Sequence, residues 1–252
     1  MQESMPTAPV EAPMRDPGPP PAAPKIAGPA ADPLADPRAL QILSTEHWSL
    51  LATRSLSYNE AFTRAGMFLT FLSATLIVIG FLVGAQGLSS DVLPIVLMLL
   101  MADLFVGVAT VGRLIDASAE ELQTVRGMNR IRHAYREMVP GLEPYFVSGF
   151  HDDAAGVLAT YGYARHGGLL ANLFHGLTTI IGMIATIVSL VVAASCALIT
   201  TAWGATLEAA LAVAAVGFVL AFGSFAAIGH RVAFRGQERV ESRFPTPGDP
   251  PA

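Results

Sequence analysis

The chain is poor in charge: only 14% of its 252 residues are Asp, Glu, Lys or Arg, while 52% are hydrophobic. That balance excludes an ordinary soluble domain, in which about 25% of residues are charged. Lysine is nearly absent, Lys25 being the single one among fifteen basic residues. Cysteine is limited to Cys196, which excludes an intrachain disulfide framework. No glycine-rich phosphate loop, Cys/His metal spacing or nucleophile elbow is present, so the common signatures of enzymes are missing. Nor is there the aromatic-plus-basic pattern of a nucleic-acid binder. Residues 1–36 lack the apolar core of a signal peptide, so the first long apolar segment is expected to act as the insertion signal. The most informative absence is positional. Four apolar segments, 65–84, 92–112, 177–201 and 207–229, contain no Lys or Arg, and neither do the connectors 85–91 and 202–206.

What is present fits a membrane. Each segment is close to the roughly 20 helical residues that cross a hydrocarbon core of about 30 Å. Helices are required there because lipid offers no partner to backbone N–H and C=O groups. Outer-membrane strands would be near ten residues long with alternating polarity, a pattern the chain does not show. Basic loops resist translocation, so both termini and the stretch 113–176 are expected in the cytoplasm. Arginine in place of lysine, with abundant Ala, Gly and Pro, points to a GC-rich bacterial genome and hence to the plasma (inner) membrane. The expected fold is all-α: a four-span transmembrane helix bundle with amphipathic cytoplasmic helices and a disordered Pro-rich N-terminal tail.

Residues 1–36 form a Pro/Ala-rich tail with ten prolines and too few large apolar side chains to offset the entropy of ordering. Pro19-Pro20-Pro21 offers a short extended helix that an aromatic groove would recognise. Order is expected from Asp36-Pro37, an N-cap followed by proline at the first helical position. Residues 37–64 read as one or two juxtamembrane helices, the second capped at Ser44-Thr45-Glu46, either lying on the membrane or continuing straight into the first span. The hairpin 65–112 follows. The loop 113–176 opens with a continuation of the second span, in which Leu122, Val125, Met128, Ile131, Tyr135 and Met138 share a face until Pro140-Gly141. A short helix is expected over 152–160, then the second hairpin 177–229 and a basic tail 230–252.

Three seams of small or polar residues run along the spans. They comprise Gly66, Thr70, Ser73, Ile77, Gly80 and Gly84 in the first; Asn172, His175, Thr179, Gly182, Thr186, Ser189, Ala193, Cys196 and Thr200 in the third; and Ala210, Ala214, Gly217, Ala221 and Ser224 in the fourth. Such seams bring helix backbones close, within one chain or between copies, so a homo-oligomer is a candidate state. The third also admits reading as a polar path. Asp103 stands near the middle of the second span, where an ionised carboxylate costs roughly 2.5–3.5 kcal/mol on insertion scales. It is therefore expected to face the bundle, with Thr186, Ser189 and Ser73 as hydrogen-bond partners. It serves either as a protonated staple between helices or as a proton or cation relay.

In the loop, His151-Asp152-Asp153 reads either as a helix cap or as part of a metal site with His133 or His166. Arg126, Arg130, Arg132 and Arg136 are candidate contacts for anionic lipid headgroups, or pair with Glu120, Glu121 and Glu137. The stretches 46–55, 128–135 and 140–146, with His151-Asp152-Asp153, resemble a family of uncharacterised bacterial multi-pass integral membrane proteins. The first hairpin with its basic helix, Arg132 to Tyr135, is similar to the SLATT-type membrane effectors, a likeness that implies pore formation. The second hairpin departs from that pattern. Three functions are therefore carried forward. The first is a non-enzymatic bundle that oligomerises and makes cytoplasmic contacts, with no cofactor and no catalytic residues. The others are a channel or proton-coupled carrier using Asp103, and a membrane metalloenzyme using His151, Asp152 and Asp153.

Overall fold

In the computed structural model the described residues are 32–161, 176–238 and 241–247. The tail of 1–31, with Pro19-Pro20-Pro21, lies outside them, as do Asn172, His175 and His166. The described chain is all-helical and has four helices long and apolar enough to span a membrane. The principal helices are α1 (Ala39–Gln86), α2 (Val92–Met138), the short α3 (Ala154–Thr160), α4 (Ile180–Ala202) and α5 (Leu207–Glu238).

α1 starts two residues later than expected, at Ala39 after Arg38, and a short 3-10 turn over Pro33–Ala35 precedes it. The Asp36 carboxylate accepts the backbone N–H of Arg38 at 2.8 Å, and the Asp36 carbonyl accepts that of Ala39 at 2.9 Å. Those contacts satisfy donors that an opening helix leaves free. Beyond this start the helix never breaks. The hydroxyls of Ser44 and Thr45, expected to cap a second helix, instead donate back to the Gln41 carbonyl within α1. The juxtamembrane stretch is thus the straight continuation of the first span. At about 1.5 Å per residue, α1 and α2 are each roughly 70 Å long, so about half of either projects beyond a bilayer core of about 30 Å. Gly87 (φ 65°) and Gly204 (φ 81°) form the two turns opposite the arginine-rich end, where a left-handed backbone suits glycine.

α2 is the hub. It packs antiparallel to α1 along their shared length and also against α4 and α5, while α4 and α5 form the second hairpin. The common core holds Phe68 and Leu72 of α1, Val96, Leu100, Val111 and Leu114 of α2, and Ile184 and Val188 of α4. The tightest crossing is at Gly107, where a Cβ would stand 2.6 Å from Val188 Cγ2 and 2.9 Å from Phe68 Cε2. Past the core, ion pairs join the α1–α2 stalk: Arg113 to Glu60 at 3.1 Å and Arg54 to Glu121 at 3.0 Å.

Parts of the third and fourth seams pack inward, though Thr179 and Ser224 are exposed, and the first seam does not. Ala210 is buried, and Gly217 of α5 lies against Cys196 of α4. In α1 the faces are reversed. The large side chains Phe68 and Leu72 turn inward, while Gly66, Thr70, Ser73, Ile77, Gly80 and Gly84 are all exposed. Nothing lies within 4 Å of a Cβ placed at Gly66, Gly80 or Gly84. The first seam therefore does not join α1 to its own bundle. The physical reason is that Gly107 gives Phe68 a notch on α2, so a large residue meets a small one across the crossing.

Candidate functional site

The intramembrane site is built on the inward face of α2, where Leu100, Asp103, Gly107 and Thr110 follow at helical spacing and are all buried. Asp103 is 0% exposed. Neither of its carboxyl oxygens has a hydrogen-bond partner among the described residues. The expected partners are engaged elsewhere: Thr186 donates to the Gly182 carbonyl, Ser189 to Ala185 and Ser73 to Leu69, each at 2.7 Å. Such back-bonding is the ordinary recourse of a hydroxyl in a helix. Register adds a second reason. The Gly107–Val188 contact sets Thr186 level with Ala109, six residues and so about 9 Å along α2 from Asp103. Thr75 of α1, itself buried, is a polar neighbour of the carboxyl, and sequence reasoning did not single it out. It shares the buried face of Phe68 and Leu72, not the seam of small residues that the sequence displays.

Nearer the arginine-rich end, a cleft of about 410 Å³ lies between α1, α2, α3 and α4. Its walls are mostly apolar, with Tyr58, Glu121 and Tyr161 supplying polar groups. Arg54 pairs with Glu121 beside it.

The second site lies at the far end of α2. Asn129, 0% exposed, organises it by donating to the carbonyls of His151 at 2.8 Å and Gly156 at 3.3 Å. Its Oδ1 accepts Thr160 and Arg132. Asp153 caps α3 by accepting the Gly156 N–H at 2.9 Å, the capping role expected for this pair. Asp152, 1% exposed, accepts four bonds. They come from Arg130 Nε at 2.6 Å, the Ser242 hydroxyl at 2.7 Å, and the N–H groups of Phe244 at 2.8 Å and Arg243 at 3.0 Å. Burial alone would raise its carboxyl; the N–H of Arg243, the Ser242 hydroxyl, the N–H of Phe244 and Arg130 outweigh that and hold it at about 2. Asp153 also accepts the backbone N–H and hydroxyl of Thr246, and His151 Nδ1 lies 3.2 Å from the Phe244 carbonyl. The Phe244 ring stacks on His133 at 4.0 Å.

The three residues read as candidate metal ligands therefore hold the segment 241–247. Among the described residues no group of three His, Cys, Asp or Glu side chains is placed to hold an ion. The four arginines also have protein partners. Arg130 takes Asp152 and the Glu241 carbonyl, Arg132 takes Asn129 and the Gly149 carbonyl, and Arg136 pairs with Glu143 at 2.9 Å. Arg126 is buried and also engaged. Sequence reasoning saw the aspartates but not their ligand, because a contact across 90 residues leaves no local periodicity. Comparison with protein-family models, curated proteins and solved structures finds no match to this chain.

Proposed function

We propose that this chain is a non-enzymatic four-span protein of the bacterial plasma membrane that assembles with copies of itself through the outward face of α1. Its arginine-rich end, placed in the cytoplasm, makes regulatory contacts. The observation that carries this reading is the exposed seam of Gly66, Thr70, Ser73, Gly80 and Gly84, whose glycines stand in open space. In lipid, helix association depends on close backbone approach, which those positions permit. A Ser73→Cys chain in a Cys196→Ala background should form disulfide-linked dimers on oxidation in native membranes. Leu211→Cys, on the exposed face of α5, should not. Equal cross-linking at both positions, or at neither, removes the proposal. Anionic headgroups at Arg126, Arg130, Arg132 and Arg136 would have to compete with the protein partners already in place, so this reading assigns the four arginines to the fold of the cytoplasmic end.

A second reading, a channel or proton-coupled carrier, is favoured by the unpartnered carboxyl of Asp103. The likeness to SLATT-type effectors belongs with it. Proton or cation flux into liposomes should then fall by about tenfold or more in Asp103→Asn, a change of at least about 1.4 kcal/mol in barrier. Flux that is absent from wild type, or equal in both, leaves Asp103 a structural residue.

A further inference from the structure

The geometry points to a peptide-recognition site at the arginine-rich end, which the chain holds closed with its own segment Glu241–Pro247. The segment alternates. Ser242, Phe244 and Thr246 are partly buried, whereas Glu241, Arg243, Pro245 and Pro247 are exposed. The backbone bends at Arg243 and Phe244, which turns their two consecutive N–H groups onto the one carboxylate of Asp152 while the buried side chains alternate with exposed ones. The receiving groups read both backbone and side chains. The two aspartates take three backbone N–H groups, of Arg243, Phe244 and Thr246, together with the hydroxyls of Ser242 and Thr246. Arg130 and the backbone N–H of Asp152 take the carbonyls of Glu241 and Phe244. His133 supplies the platform for the single aromatic ring.

Three features distinguish this contact from a tail folded into a core. Phe244 is the only large apolar side chain in the segment, so the hold is made mostly of hydrogen bonds that water can replace. The receiving site is organised by groups the segment does not supply: Asn129 fixes the loop carbonyls, and Asp153 caps α3. Finally, only residues 239–240 separate the segment from the end of α5. So short a tether gives an effective concentration of about millimolar, enough to exclude a free competitor from a moderate site. The ligand class is a short bent peptide with a small hydroxyl residue, an aromatic and a second small hydroxyl residue at alternate positions. The proposal stands whether or not α1 mediates assembly.

The test uses the full chain in lipid discs and a fluorescein-labelled peptide of the sequence Glu-Ser-Arg-Phe-Pro-Thr-Pro. A chain carrying Ser242→Ala, Phe244→Ala and Thr246→Ala should bind the peptide saturably, at least about tenfold more tightly than wild type. Adding Asp152→Asn to that chain should weaken binding by about tenfold, and a scrambled peptide should not bind. Equal binding to wild type and the tail variant, or indifference to Asp152→Asn, overturns the site. If the tail variant misfolds, hydrogen exchange on the unmodified chain decides. Peptide in excess of about millimolar should speed exchange at the amides of Arg243, Phe244 and Thr246, and unchanged protection rejects the proposal.

Discussion

At the scale of single residues, two buried aspartates are treated in opposite ways. Asp103 has Thr75 beside it but no hydrogen bond of good geometry, while Asp152 is given four. Asp103 was legible in the sequence because an acid among apolar neighbours has to turn from lipid. Its surroundings were not, since a hydroxyl that can satisfy itself on its own helix gives no sign of which helix it faces. The docking of Asp152 makes a pH prediction. Its carboxyl ordinarily titrates at 3.8 and in the docked state at about 2. The docked form therefore binds fewer protons between those values. Its advantage is complete above about pH 4 and is lost as the pH falls towards about 2. A dye on Pro247→Cys, in a Cys196→Ala background, should report no release between about pH 8 and 5 and release with a midpoint below about 4. A midpoint near neutrality would show that Asp152 does not control the docking.

Among the helices, the contrast between glycines decides what each face is for. Gly107 has no room for a methyl group, whereas Gly80 and Gly84 have open space around them. Gly107→Ala should destabilise the folded chain by about 1–3 kcal/mol, since Val188 and Phe68 would have to move. Gly80→Ala and Gly84→Ala should leave thermal unfolding in detergent almost unchanged, within about 0.5 kcal/mol, and act only on association between copies. Comparable loss of stability at all three positions would contradict the reversed orientation of α1. The four long apolar helices and the uninterrupted run of α2 to Met138 were readable, because length, hydropathy and the Pro140-Gly141 stop are local signals. The rotation of α1 was not, because it depends on how Phe68 meets Gly107, two residues on different helices.

For the whole molecule, orientation rests on where the arginines are. A membrane-impermeant thiol reagent should label Ser90→Cys on intact cells and Ser44→Cys only after lysis, both in the Cys196→Ala background; the reverse pattern would invert the proposed topology. The unbroken stalk also has a mechanical consequence. From the crossing at Gly107 to Ile131 is 24 residues of continuous α2, a rigid arm of about 36 Å. A tilt of about 10° at the crossing would swing the end of that arm by roughly 6 Å. The segment 241–247, which follows α5, is fastened to that same end through Arg130 and Asp152. Leverage inside the bilayer thus has two outlets: α5 moves with the arm, or the fastening parts before the helices do.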